Sequence, residues 1–305
     1  MGIPTRPSVG GQVLEGATLP ARLRDLQEPP ERLFLHGILP SGPCIGVVGT
    51  REPTAGALTF AANLSSSLAA HGVAIVSGGA KGIDAAAHRG ALAASGTTLV
   101  VAGSSLDHPF PAAHGGLYAE IIARGGGYLS RFDVDVKARR HHFLDRNGIL
   151  VALCDALVLV EAPLKSGARN ATSWARQLQR PCFVVPSAPW NEQGRGCIVE
   201  LQLGARALGD PKEIVDWLAE RRRVEPGADP AGRSPPSARP LAASAGEDDV
   251  KTAVLATLAA GARYADDVAE TLGLALPRVN HALLLLMLSG DVQQGPGGAL
   301  TTAPR

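Results

Sequence analysis

The chain has 305 residues, 45% of them hydrophobic and 19% charged, a composition with enough apolar content for a substantial core and unlike that of a disordered protein. Lys and Arg together number 29 against 28 acidic residues, so the net charge of +1 leaves any polyanion to be met by a local patch rather than by bulk attraction. The four cysteines form no CxxC pair, the first residues hold no apolar signal segment, and the longest apolar run, Ile149 to Val160, is broken by Asp155 and too short to span a bilayer; a cytoplasmic protein with reduced thiols is expected.

Residues 1–18, rich in Gly, Pro and Thr, read as a flexible lead with no site. From 19 to 37 a short helical candidate, a Pro-Pro break and a strand over Arg32–His36 form a lead-in to the main sheet. Cys44–Val48 follows as a buried strand, then a loop containing Arg51, then a helix over Gly56–Ala70. The next unit, Val73 to Leu92, organises the chain. An apolar β-branched run leads into Ser77-Gly78-Gly79-Ala80-Lys81-Gly82 and then into an alanine-rich helix. Glycines that permit close backbone approach, a helix N-terminus and the Lys81 cation together favour a phosphate, expected toward Lys81 because Asp84 in the first helical turn repels an anion on the helix tip. The same pattern also suits a tight turn that binds nothing.

Further strands are expected at Thr97–Ala102, Gly127–Ser130, Ala156–Glu161 and Cys182–Pro186, with helices at Gly115–Ala123, Arg146–Leu153, Asn170–Gln179 and Glu213–Arg223. Strands apolar on both faces that alternate with helices define an α/β fold, a Rossmann-like doubly wound and mostly parallel sheet over residues 19–223. Its ligand cleft belongs beyond the carboxyl ends of the strands, where the loops around Arg51, Lys81, Ser104 and Ser166 gather. Residues 224–249 read as a Pro/Ala/Gly/Ser-rich linker, and 250–305 as a small winged-helix domain of three helices and a glycine-tipped hairpin. That module sums to zero charge, which favours a protein contact over tight duplex reading.

The segment from Lys137 to Arg146 carries four basic residues and one acid, with Phe143 embedded in it. Cations that follow a phosphate backbone and a ring that stacks on a base are the parts of a single-strand groove; a solvated basic loop anchored by Phe143 is the plainer reading. Lys165 and Arg169, after a buried strand, either extend that electropositive floor or serve the start of the next helix. His141 and His142 lack metal-ligand spacing, and Ser77 and Ser104 lack a nucleophile elbow, so no metal and no catalytic residue is assigned.

The segments VVGTREPT, VSGGAKGIDAAAHRGAL, GSSLDHPFPAAH, HFLDRN and LVLVEAPLKSGARNATSWA occur in an order and spacing that resemble the DNA-processing protein A (DprA/Smf) family, over about residues 19 to 218. The resemblance implies a Rossmann-like domain that binds single-stranded DNA, forms a homodimer and helps load the RecA recombinase during natural transformation, with no cofactor and no enzymatic chemistry. By motif position it places Arg51, Lys81, Arg140, Phe143, Arg146 and Asn147 along the DNA groove, with Gly78, Gly79 and Gly82 admitting the backbone. There are departures: SGGAKG replaces SGLARG, Gly148 stands where an arginine is usual, and SGARNATSWA replaces SGSLITA. Two other readings remain in view. One is a nucleotide-ligand enzyme on a phosphoribohydrolase-like scaffold, whose PGGxGT loop is absent here. The other is a ligand-sensing winged-helix regulator, which the neutral C-terminal module disfavours.

Overall fold

The computed structural model describes residues 11–224, 247–259, 265–294 and 300–302, which fall into two compact units, 1–232 and 233–305. In the first unit the strands are β1 (Gln12–Glu15), β2 (Arg32–Gly37), β3 (Cys44–Val48), β4 (Ala74–Ser77), β5 (Thr98–Ala102), β6 (Gly127–Ser130), β7 (Ala156–Leu159), β8 (Cys182–Val184) and β9 (Arg206–Ala207). Its helices are α1 (Ala55–Ala70), α2 (Ile83–Ala93), α3 (Gly115–Ala123), α4 (Arg140–Ala152), α5 (Gly167–Gln177), α6 (Arg195–Gln202) and α7 (Pro211–Val224). One nine-stranded sheet runs in the order β1-β2-β6-β5-β4-β3-β7-β8-β9. Strands β3 to β9 are parallel, whereas β2 pairs antiparallel with both β6 and β1.

The central strands are β-branched and leucine-rich because both faces are covered. Along β3 and β7, Ile45, Val47, Ala156 and Val158 face α1, α2 and α7, while Cys44, Val48, Leu157 and Leu159 face α4, α5 and α6. Helix α3 lies with α2 over β5 and β6 through Tyr118, Ile121 and Val100. The chain moves outward in one direction from β3 through β4 to β6, then returns to add β7 on the other side of β3. That reversal opens a crevice between the carboxyl ends of β3 and β7.

Three expectations change. Part of the stretch read as a flexible lead, residues 1–18, forms β1, an edge strand whose Leu14 is buried and whose Val13 pairs with Phe34. The basic run read as a loop is helical from Arg140, so α4 begins six residues before the expected start at Arg146. Its first turns carry no apolar period, which hid the helix; packing of its second half from Ile149 to Ala152 holds it. Helix α6 and strand β9 had no sequence assignment, being short and of mixed polarity.

The second unit holds α8 (Glu247–Ala259), α9 (Ala265–Leu272), α10 (Leu276–Leu288) and the antiparallel pair β10 (Val292–Gln294) and β11 (Leu300–Thr302). Its core joins Val250, Val254, Val268, Val279, Leu283 and Leu286 to Val292 and Leu300, a winged-helix arrangement. Most of the expected linker, 225–246, and the hairpin tip, 295–299, lie outside the described residues. Among the described residues no helix is long and apolar enough to cross a membrane.

Candidate nucleic-acid interface

A cleft of about 890 Å³ lies at the β3/β7 reversal, walled by residues 48–52 at the end of β3, by Pro163 and residues 165–168 after β7, and by the start of α4. It gathers five cations, Arg51, Arg139, Arg140, Arg146 and Lys165, against two carboxylates, Glu52 and Asp84. Local positive charge is thus concentrated in a nearly neutral chain, which the bulk composition could not reveal. Two of those cations, Arg139 and Arg140, sit at the N-terminus of α4, where no side chain caps the helix. Cations there oppose the helix dipole, at a cost of about 0.3–1 kcal/mol each, and leave that end strongly attractive to an anion.

Phe143 is half-buried in the cleft wall, its ring set on Gly103 and tilted against Phe110 at 5.6 Å. The Arg51 guanidinium carbon lies 5.3 Å from the Phe143 ring centroid and that of Arg146 lies 5.9 Å from it. The loop carrying Arg51 is fixed from below by Glu161. This buried carboxylate accepts hydrogen bonds from Thr54 N at 2.8 Å, Thr54 Oγ1 at 3.1 Å and Asn191 Nδ2 at 2.8 Å, while Glu161 O accepts from Thr50 N at 2.6 Å. Thr54 in turn caps α1 by accepting from Ala57 N.

Arg146 is 6% exposed, donates to the carbonyl of Val101 and projects toward Asp84, itself 5% exposed. Burial pulls the guanidinium below its ordinary value and pushes the Asp84 carboxyl above its own, with the opposite charge of each partner resisting the shift. Asn147 is also buried and spends both amide hydrogens on α5, on Gly167 O at 3.2 Å and Asn170 Oδ1 at 3.0 Å. Both residues line the cleft from beneath as parts of its wall.

The glycine loop differs most from its sequence reading. A Cβ on Gly78 would collide with the Arg146 guanidinium, one on Gly79 would meet Tyr118 and Val100 at 2.9 Å, and one on Gly82 would strike Thr50 O. At each of these three glycines a protein group stands where a side chain would go. The first helical N–H of α2, on Ile83, is likewise taken by Thr50 O at 3.2 Å. Only Ala80 and Asp84 of this region line the cleft; Lys81 is exposed and is not among the lining residues.

Lys165 reaches the cleft, but Arg169 turns away from it. The Arg169 Nε donates to Glu200 at 2.8 Å and Nη1 to Leu164 O at 2.8 Å. Glu200, 1% exposed, also bonds Arg176. Burial raises the Glu200 carboxyl, and the hydrogen bonds from Arg176 and Arg169 more than offset it, leaving it below the ordinary carboxylate value. At the arginine-to-glycine departure the space is filled: a Cβ on Gly148 would meet the Trp174 indole at 3.1 Å. Arg139, Phe110 and Gln193 line the cleft without having been singled out. Arg139 lay inside the recognised basic run and Phe110 inside the GSSLDHPFPAAH segment, whereas Gln193 carries no local signal and arrives through the fold.

Residues 13–219 match the family described as DNA recombination-mediator protein A, and residues 234–298 match the DprA winged helix domain. The putative DNA processing protein DprA of Mycobacterium tuberculosis is 37% identical over 245 residues, which cover 80% of this chain and 60% of that protein, so the chain spans well under the relative's full length. Protein Smf of Escherichia coli is 30% identical over 281 residues, 92% of this chain and 74% of the relative. Among solved structures, DNA processing protein A from Helicobacter pylori, studied for its single-stranded DNA binding mode, superposes with a TM-score of 0.63 at 29% identity, covering 72% of this chain and 99% of that one. That of Streptococcus pneumoniae gives 0.63 at 28%, covering 67% and 73%. With the matched segment running from β1 into α7 and a winged-helix match after it, the chain belongs to the DNA recombination-mediator protein A family.

Proposed function

We propose that the cleft binds single-stranded DNA and that the protein acts as a recombination mediator, a binding role without hydrolytic or redox chemistry. The observation that carries this is the set of five cations around a half-buried Phe143 at the β3/β7 reversal. Phosphates meet Arg51, Arg139, Arg140 and Lys165 at the rim, and a base reaches the Phe143 ring, the pairing of charge and stacking on which sequence-tolerant strand binding depends. Arg146 and Asn147 act as the rigid floor that holds α4 in place. The similarity to the Helicobacter pylori protein supports the choice of single strand over duplex.

The reading extends to a homodimer that hands coated strand to a RecA recombinase, a role drawn from the family. Equilibrium binding of fluorescent oligo-dT, single-stranded against duplex at several salt concentrations, tests the first part. Single-strand preference with affinity falling steeply as salt rises is expected; duplex preference or salt-independent binding overturns it. Sedimentation of the free protein and assembly of RecA filaments on strand precoated with a single-strand binding protein test the second.

A further inference from the structure

We propose that Trp190 is a second base-stacking platform, outside the cleft, onto which the single strand runs as it passes the 187–194 turn; this rests on the strand-binding reading above. Trp190 is 85% exposed, more than any other large hydrophobic side chain among the described residues, whereas Trp174 and Trp217 are half-buried. Among the described residues no ring or cation stacks on the indole. A large aromatic surface is therefore held in water with no packing role.

The turn that presents it is nevertheless well fixed. Asn191 N donates to Ala188 O at 2.9 Å and Gly194 N to Asn191 O at 3.0 Å. The Asn191 amide donates to Ser187 Oγ at 3.2 Å and to the buried Glu161 at 2.8 Å, and its oxygen accepts from Gln193 N at 3.1 Å. Glu161 is the same carboxylate that anchors the Arg51 loop, so the indole and the cleft rim share one support. A platform ordered in advance loses little freedom on binding.

The turn also leads into the cleft. Gln193 lines it and lies 3.4 Å from Thr50 Oγ1, side chain to side chain. Three residues of chain span at most about 11 Å, a length that a few nucleotides bridge. The intervening Glu192 carboxylate is engaged by Arg195 at 3.1 and 3.3 Å, which offsets its repulsion of a phosphate. A protein partner would call for an apolar anchor within a packed hydrophobic patch. Here Trp190 is the one exposed large hydrophobic side chain of the 187–194 turn and is followed by the polar Asn191, Glu192 and Gln193, a setting that suits a nucleobase.

The test uses the full chain, oligo-dT of graded length, and Trp190→Ala and Trp190→Phe, with thermal melts and sedimentation alongside. For strands long enough to pass the cleft, Trp190→Ala raises Kd by roughly tenfold and Trp190→Phe by no more than about threefold, while for the shortest strands that bind both match the parent. Tryptophan emission is quenched by the longer strands in the parent and not in Trp190→Phe. Parent-like affinity of Trp190→Ala at every length, with Arg51→Ala and Phe143→Ala still weakened, overturns the platform and leaves the groove standing. Loss of self-association in Trp190→Ala without loss of strand affinity assigns the indole to contact between copies and overturns it too. Absence of strand binding in the parent removes the groove reading and the platform together.

Discussion

The guanidinium of Arg146 lies directly against the backbone of Gly78, in space that any Cβ at position 78 would occupy. Strand β4 and helix α4 are thereby keyed together under the cleft, with Arg146 bonded to the Val101 carbonyl and coupled to the Asp84 charge.

Gly78→Ala is expected to lower stability by about 2 kcal/mol, the cost of displacing a well-packed buried group. Arg146→Met should cost about 3 kcal/mol, because it leaves the Asp84 carboxylate buried without its compensating charge. Asp84→Asn in the Arg146→Met background recovers part of that loss. Urea unfolding of the single and double variants measures the coupling; strictly additive effects would show that the two charges do not interact.

Phe143→Ala should weaken single-strand binding by about 1–3 kcal/mol with the fold retained, since the ring is half-buried at the wall. Arg51→Ala should weaken binding and reduce the slope of log K against log salt by about one. Arg169→Met separates the two kinds of arginine. It removes one of the two arginine partners of the buried Glu200 and should cost about 2 kcal/mol of stability while strand affinity stays within about twofold. Parallel binding and unfolding titrations of the three variants check the division.

His88 is fully buried in α2, with Nδ1 2.7 Å from Thr98 Oγ1, whose own proton goes to Ile75 O at 2.7 Å. Burial, reinforced by the Arg146 charge, lowers its pKa to about 3. The unfolded chain takes up a proton near pH 6.5 that the native state refuses, so His88 leaves stability intact above about pH 6.5 and removes it progressively as pH falls toward 3. The loss reaches about 2 kcal/mol at pH 5. Comparing the stability difference between pH 7 and pH 5 in the parent and in His88→Gln isolates this slope, which should be absent from the variant.

Gly148→Arg, which restores the residue usual in the family at that position, should destabilise by about 2–3 kcal/mol because the Trp174 indole already occupies the space. Adding Trp174→Ala should recover much of that cost. Thermal melts of the two single variants and the double distinguish a coupled exchange of volume from two independent changes.

Much of the architecture was legible in local sequence. Cys44–Val48, Ala74–Ser77, Thr98–Ala102 and Ala156–Leu159 are short and apolar on both faces, a pattern that only a sheet covered on both sides satisfies, and α3 and β6 occupy the residues expected of them. The basic run around Phe143 was visible as charge and ring together, though not as the start of a helix. Edge strand β1 was hidden by a Gly/Pro-rich setting, and its pairing with β2 is a non-local event.

By itself, then, the sequence determined the parallel sheet, the order of its units and the family, because these rest on periodicity and motifs contiguous in the chain. The tertiary structure alone decided where each charged residue stands and what it touches. It sent Arg146 into the core against Gly78, tied Arg169 to Glu200, left Lys81 off the cleft, and raised Arg139 and Arg140 at the uncapped end of α4. Whether a cation faces solvent, a carboxylate or a backbone depends on desolvation and partners brought together from distant parts of the chain, and no local pattern records them.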